Sequence, residues 1–161
     1  MRLLNTKTYQ LKSFSDKRNR PPYAILSHAW GPEGTELLYE DVQNTSAENL
    51  RRRIKEPGVA KVLGVCDLAK SDGFEYVWID SCCIDKSSSA ELSEAINSMF
   101  EWYSESVLCY AYLIDVERRD RAEYFKASRW FKRGWTLQGS LPLRPCSSTT
   151  TCGNPSGREK S

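Results

Sequence analysis

Residues 76–103 read YVWIDSCCIDKSSSAELSEAINSMFEWY, and this stretch decides what the rest of the chain can form. It begins with four apolar residues, which are typical of a buried strand that ends at Asp80. Ser88 and Glu91 have the S-x-x-E spacing of a capping box, in which the serine accepts from the N3 amide and the glutamate reaches back. Apolar residues then recur three and four apart over 92–103, and we expect this helix face to lie in the core. The stretch therefore predicts a strand, a loop and a capped helix.

Two other apolar runs resemble the start of this stretch. They are YAIL at 23–26 and the β-branched and aromatic VLCYAYLI at 107–114, both typical of buried strands. Between the first and second runs, apolar residues follow helical spacing over 59–69. Strands and helices alternate, so the sequence predicts an α/β fold with a short, mainly parallel sheet and flanking helices. The strands are expected at about 23–27, 75–79 and 107–114.

The carboxyl ends of parallel strands meet at one edge of a sheet, where open α/β proteins bind ligands. That edge would carry polar residues from the ends of all three strands, Asp115 among them. We take six of these residues as a candidate cofactor-binding cleft: Ser27, His28, Trp30, Asp80, Cys82 and Asp85.

Each of these residues also has a purely structural interpretation. Ser27 and His28 are adjacent on a strand and point to opposite faces, which disfavours a nucleophile–base pair. Asp80 and Asp85 suit a ribose hydroxyl or a cation, and equally a strand end and a turn. Cys82 as a reactive thiol would need an electropositive pocket, so a structural role is favoured.

The composition is that of one ordinary globular domain. The chain has 161 residues, 40% of them hydrophobic and 27% charged, close to usual proportions. With 23 basic and 21 acidic residues, the net charge is +2. Nucleic-acid binding relies on clustered positive charge, and the single aromatic and basic cluster at 128–138 is weak evidence for it. We therefore expect no nucleic-acid partner.

The sequence also predicts a cytoplasmic protein with no membrane segment and no metal. No stretch approaches the roughly 18 consecutive apolar residues of a membrane span, and the first residues, MRLLNTKTYQLKSF, are too polar for a secretory signal. Six cysteines are expected to be free thiols in a reducing compartment. His28 is the one histidine and no Cys-x-x-Cys pair occurs, so a closed zinc site is not expected.

Composition divides the chain into three segments. Residues 1–20 are an N-terminal extension whose two short apolar pieces fit a hairpin. Residues 21–138 hold the expected strands and helices. Residues 139–161 are rich in Ser, Thr, Gly and Pro, with five consecutive hydroxyl residues at 147–151. This last segment predicts a disordered tail, because it cannot bury enough apolar surface to offset the entropy of ordering.

Four blocks of the sequence resemble the fungal heterokaryon-incompatibility (HET) domain, in the family's own order. They are PPYAILSHAWG (21–31), the opening stretch (76–103), CYAYLIDV (109–116) and SRWFKRGWTLQ (128–138). The resemblance implies a role in non-self recognition and in the death of incompatible fused cells. The HET family is regarded as a distant relative of TIR domains, so it also implies a flavodoxin/TIR-like three-layer fold. Some TIR domains cleave NAD with a glutamate on a helix, and others assemble and signal.

The chain departs from the family pattern after Gln138. There the family continues with a glutamate, and Gly139 stands in its place. If the TIR glutamate motif is laid on 128–131 instead, the acid falls at Gly134. Neither register leaves a carboxylate, so the resemblance implies a partial, C-terminally truncated or diverged HET domain with no intact catalytic set. NAD as a cofactor is implied by the resemblance only.

Three functions compete at this point. The first is a signalling and self-association module of fungal non-self recognition and programmed cell death, whose partners are proteins such as its own copies or NLR-type regulators. The second is a TIR-like NAD glycohydrolase, for which the missing glutamate is the main objection. The third is a fragment without a function of its own, exposing a bare sheet edge that invites aggregation.

Overall fold

The computed structural model describes residues 1–114 and the backbone of residues 143–147. The described strands are β1 (Arg2–Asn5), β2 (Leu11–Ser13), β3 (Tyr23–His28), β4 (Tyr76–Trp78), β5 (Leu108–Leu113) and β6 (Leu143–Ser147). The described α-helices are α1 (Tyr39–Gln43), α2 (Ala47–Arg52), α3 (Pro57–Ser71), α4 (Asp80–Cys83) and α5 (Ser89–Glu105), and a 3-10 turn spans Lys17–Asn19. The predictions on Asp115, Gly134 and Gly139 lie outside the described residues.

The strands form one mixed sheet in the order β2-β1-β4-β3-β5-β6. The three strands predicted from the sequence are its centre, where β3 pairs in parallel with both β4 and β5. β1 pairs antiparallel with β4 and with β2. The chain is therefore an α/β protein, with a sheet that is larger and more mixed than the three predicted strands.

The N-terminal hairpin belongs to this sheet rather than to a separate extension. Leu3 and Leu4 in β1 are fully buried. The two short apolar pieces of the sequence do not by themselves indicate this burial. The turn is set by Asn5, whose side-chain oxygen accepts from the amides of Lys7 and Thr8 at 2.9 and 3.0 Å. This is the local bonding that favours Asn at turns. β1 thus lies between β2, the edge strand, and β4.

The strand β6 lies inside the segment that the sequence predicted to be a disordered tail. Its backbone pairs in parallel with β5, with Cys109 opposite Leu143 and Leu113 opposite Ser147. Strand pairing satisfies main-chain groups and does not require apolar side chains, which is why composition missed it. The sequence did not predict this strand, and the rest of the predicted tail, 139–142 and 148–161, lies outside the described residues.

Helices cover both faces of the parallel strands. The Tyr110 hydroxyl donates to Asp72 at the end of α3 at 2.7 Å. The Tyr23 hydroxyl donates to the carbonyl of Trp102 in α5 at 2.5 Å. Leu26 is opposite Tyr110 in the register and three residues from Tyr23, so the two tyrosines project from opposite faces. The β3–α3–β4 and β4–α5–β5 crossovers thus lie on different sides.

The apolar stripe of α5 is buried over only part of its width. Ala95 and Trp102 are buried, and Trp102 packs edge-on against Trp78 of β4 with ring centroids 5.6 Å apart. Ile96 is 52% exposed and Phe100 is 64% exposed, so the prediction that the whole stripe is core was wrong for these two residues. The apolar face of α5 is therefore wider than its area of contact with the sheet.

Within the described ranges, 1–114 and 143–147, no helix has both the length and the apolar character needed to cross a bilayer.

Candidate functional site

Side chains from β3, α4 and the loop between β3 and α1 meet at the carboxyl ends of the parallel strands. His28 is the last residue of β3, and Asp80 is the first residue of α4, two residues after the end of β4. Nε2 of His28 lies 3.4 Å from Oδ1 of Asp80. The indole N–H of Trp30 donates to the other carboxylate oxygen of Asp80 at 3.1 Å. Three of the six predicted cleft residues therefore lie together.

A buried ion pair lies next to this group. Glu36, in the loop after β3, is paired with Lys61 of α3, and the two side chains are 6% and 4% exposed. Nε2 of His28 lies 3.7 Å from Oε2 of Glu36. The imidazole is thus in contact with two carboxylates, one from Asp80 and one from Glu36. We call these four residues, His28, Glu36, Lys61 and Asp80, the edge cluster.

Two glycines bring the loop close enough for this pairing. The amide of Gly31 donates to Oε1 of Glu36 at 2.8 Å, which fixes the carboxylate that Lys61 meets. Gly58 lies in the first turn of α3, where an added Cβ would collide with the carbonyl oxygen of Thr35 and come within 2.6 Å of the amide of Leu37. The absence of a side chain there lets α3 pack directly on the 35–37 backbone.

The electrostatics keep Glu36 ionised. Burial by itself would raise the pKa of Glu36, but His28, Lys61 and the Gly31 amide together lower it to about 2. Burial lowers the pKa of Lys61 from its usual range, and the Glu36 carboxylate opposes that change. Each charge is therefore tolerated in the interior because the other is present, as is usual for buried ions.

Lys86 contacts Asp80 of the edge cluster and the neighbouring Trp30. Its ammonium donates to the carbonyl oxygens of Asp80 and Ser81 at 2.6 and 3.1 Å, which are carbonyls of α4. The same ammonium lies 4.6 Å from the centre of the Trp30 ring, a cation–π distance. Burial lowers the pKa of Lys86, and the nearby Asp80 opposes the change. Lys86 thus holds α4 and the loop after β3 together.

Ser27 and Cys82 are not part of the edge cluster. Ser27 is 3% exposed and precedes His28 on β3, so its side chain leaves the opposite face of the strand. Cys82 is fully buried, and its pKa is raised well above the usual thiol value by the neighbouring Cys83 and by burial. A buried, protonated thiol is a poor nucleophile.

Asp85 makes a local turn beside the cluster. Its carboxylate accepts from the amide and hydroxyl of Ser87 at 3.0 and 2.6 Å, and the hydrogen bond from the Ser87 side chain lowers the pKa of Asp85. Asp85, Ser81 and Lys86 line a cavity of about 170 Å³. Ligand pockets usually measure about 300–1,000 Å³, so this cavity is too small to enclose a dinucleotide.

The predicted cap of α5 is half right. The Ser88 hydroxyl accepts from the amide of Glu91 at 3.3 Å, as the motif requires. The Glu91 carboxylate instead accepts from the amide of Asp85 at 2.9 Å and pairs with Arg2 of β1. Glu91, in α5, therefore connects this helix to the hairpin and to the loop that follows α4. The capping-box motif does not predict this, because the Arg2 cation comes from a distant part of the sequence.

Sequence reasoning missed Glu36 and Lys61. Lys61 is the one charged residue in PGVAKVLGVC, 57–66, and a single cation on a buried helix segment is a usable signal for a paired charge. Glu36 sits in the turn-rich loop GPEGTELL, 31–38, where no periodicity distinguishes an inward carboxylate from a solvated one.

The profile of the heterokaryon incompatibility protein family (HET) matches residues 23–122, so the chain belongs to the HET family. The resemblance inferred from the four sequence blocks is thereby confirmed.

The vegetative incompatibility protein HET-E-1 of Podospora anserina is similar to this chain, with 46% identity over 126 residues. The similar region covers 73% of this chain and 9% of that protein. The chain thus spans about a tenth of the length of the curated relative that it matches. No solved structure matches the chain.

Proposed function

We propose that this chain is a signalling module of fungal non-self recognition, which acts in the cytoplasm by contact with other proteins and leads to cell death. Membership of the HET family carries this proposal, and the similarity to a vegetative incompatibility protein supports it. The proposed partners are further copies of the chain or NLR-type regulators.

The edge cluster supports a role by contact rather than by catalysis. A catalytic acid or base must lie within hydrogen-bond reach of the reacting atoms. The Glu36 side chain is 6% exposed and already bonded to Lys61 and the Gly31 amide. A substrate atom would have to displace these partners, so the pair is better suited to fixing the loop after β3 on α3.

A flavodoxin/TIR-like fold is part of the same proposal. Numbered in chain order, the four strands of the parallel part of the sheet run β4-β3-β5-β6, that is 2-1-3-4. This is the order of the first four strands of flavodoxin-like proteins, in which ligands bind at the switch point between strands 1 and 3. The edge cluster lies at the end of β3, the strand at that point.

An NAD glycohydrolase is the second candidate, and Asp80 is the observation that favours it. Asp80 lies at the sheet edge with a side chain 29% exposed and bonded to the Trp30 indole, a ring on which a base could stack. Against it, the cavity beside Asp85 measures about 170 Å³, which is small for NAD.

Expression of the chain in a filamentous fungus, with dye uptake as the measure of cell death, tests the two candidates. Death that persists in a folded Asp80→Asn variant supports signalling by contact. Death that Asp80→Asn abolishes, while its melting temperature stays at the wild-type value, supports catalysis. Survival of cells that accumulate the folded wild-type chain would overturn both.

A further inference from the structure

The apolar face of α5 continues from its contact with the sheet onto the surface of the chain. Ala95 and Trp102 are buried, whereas Ile96 and Phe100 are both more than half exposed. Residues four positions apart are neighbours on a helix surface, so Ile96 and Phe100 form one apolar area. A single exposed apolar side chain is ordinary, but adjacent large ones mark contact surfaces.

The acidic side of α5 is already in contact with the N-terminal part of the chain. The helix carries four glutamates and no basic residue. Lys17 lies 2.7 Å from Glu101 and also pairs with Glu105, and Arg2 pairs with Glu91. These ion pairs fix the rotation of α5 about its axis, with its glutamates toward the β1–β2 hairpin and the connector that follows it.

No charge lies next to Ile96 and Phe100 on α5. From 3.6 residues per turn, the exposed Glu94 and Glu101 lie about 100–160° around the helix axis from them. The residues three and four positions from either one are all uncharged: Leu92, Ser93, Asn97, Met99, Tyr103 and Ser104. We call these six residues, with Ile96 and Phe100, the α5 patch.

This lack of charge favours a second copy of the chain as the occupant of the patch. In a two-fold symmetric dimer the same surface is present on both subunits, so a charge near the centre would face its own like, at a high cost. The α5 patch meets no such repulsion. A partner of opposite chemistry, a strongly acidic or basic surface, would find no counter-charge within the patch.

We propose that two copies of the chain associate through the α5 patch, with the two α5 helices antiparallel. Ile96 packs on the partner's Phe100, and Phe100 packs on the partner's Ile96. The inference rests on the signalling role proposed above, and it names the surface by which that module would associate with itself.

The contact is expected to be weak. α5 has 17 residues and is therefore about 25 Å long, and two helices of this length bury less surface than the roughly 1,200–2,000 Å² of a stable complex. The dimer should form only at high local concentration, as when several modules are held together at an effective concentration of about 1 mM.

Sedimentation equilibrium of the full chain, from about 10 µM to about 1 mM and with a reducing agent to exclude disulfide-linked dimers, measures this association. The average mass is expected to rise from 18.4 kDa and to level off at twice that value. Phe100→Ala should raise the dissociation constant at least about 10-fold, because each dimer loses two buried rings.

Ile54→Ala is the matched control, since Ile54 is an exposed apolar residue between α2 and α3, and its dissociation constant should equal that of wild type. A chain that stays monomeric throughout, or a dimer that Phe100→Ala does not weaken, would overturn the proposal. So would a mass that rises without levelling off, the result expected of association through sheet edges. Death of fungal cells that express a strictly monomeric chain would leave the signalling role standing and assign the patch to another protein or to residues 115–142.

Discussion

Glu36 and Lys61 are 25 residues apart in the sequence and form an ion pair with side chains only 6% and 4% exposed. The pair joins the loop after β3 to α3. The His28 imidazole lies 3.7 Å from the Glu36 carboxylate and 3.4 Å from the Asp80 carboxylate, so it links the pair to Asp80. Most consequences of the edge cluster for stability follow from this one contact.

Glu36→Gln is expected to destabilise the chain by about 3–5 kcal/mol, because it leaves the Lys61 ammonium buried without its counter-ion. Urea unfolding followed by circular dichroism measures the change. Glu40→Gln, at an exposed position of α1, is the matched control and should stay within about 0.5 kcal/mol of wild type. The double variant Glu36→Gln/Lys61→Met should be more stable than Glu36→Gln alone, and the opposite order would show that the pairing is not what stabilises the loop.

The pH dependence of stability should carry the signature of Glu36. Its pKa in the folded chain is about 2, below the ordinary glutamate value of 4.5. The stabilisation is therefore complete above pH 4.5 and is lost as the pH falls toward 2, because the unfolded chain takes up the proton first. The difference amounts to about 3 kcal/mol for this one group. Unfolding free energies from pH 6 to 2 should fall less steeply in Glu36→Gln than in wild type, and parallel curves would contradict the assignment.

Gly58→Ala should destabilise the chain even though alanine is the better helix former by about 1 kcal/mol. The new Cβ would collide with the Thr35 carbonyl and crowd the Leu37 amide, so α3 or the loop has to move and the Glu36–Lys61 contact weakens. A thermal melt measures the effect. A higher melting temperature in Gly58→Ala would mean that α3 does not pack so closely on the loop.

Truncation of two large apolar residues of α5 should change stability by very different amounts. Trp102 is 7% exposed and packs on Trp78, so Trp102→Ala is expected to cost about 3–5 kcal/mol. Phe100 is 64% exposed, so Phe100→Ala should change stability by less than about 0.5 kcal/mol. Comparable losses in the two variants, measured by urea unfolding, would show that α5 is rotated relative to the arrangement described here.

The four cysteines of residues 1–114 should be unreactive while the chain is folded. Cys66, Cys82, Cys83 and Cys109 are free and buried, and burial raises the pKa of the Cys109 thiol to about 12. A Cys146→Ser/Cys152→Ser chain treated with a chromogenic disulfide reagent at pH 8 should react only on unfolding. Rapid reaction of one thiol in the native chain would reopen a nucleophilic role for Cys82.

The centre of the fold could be predicted from the sequence because its three apolar runs are long, continuous and bounded by polar residues. The pairing of the predicted hairpin with β4 could not, since Leu3 and Leu4 are two residues among polar neighbours. β6 could not be predicted either, because it is held by backbone pairing. Ile96 and Phe100 fit the helical period of α5 yet lie beyond its contact with the sheet, and periodicity reports the apolar face of a helix but not the extent of the surface that covers it.

At the candidate site, strand ends were enough to predict that His28, Trp30 and Asp80 would lie together. The buried pair was missed because it joins a loop residue to a helix residue, and that distance is set by the tertiary approach at Gly58. Cys82 was included in the predicted cleft from its place after β4, but the short helix α4 turns its side chain into the core.

Nicotinamide release from NAD by the purified, folded chain tests the central claim most directly, namely that the edge cluster holds the fold and does not perform chemistry. No release above a protein-free control is expected at any chain concentration. Release that rises with chain concentration, and that disappears in an Asp80→Asn variant with an unchanged melting temperature, would contradict it.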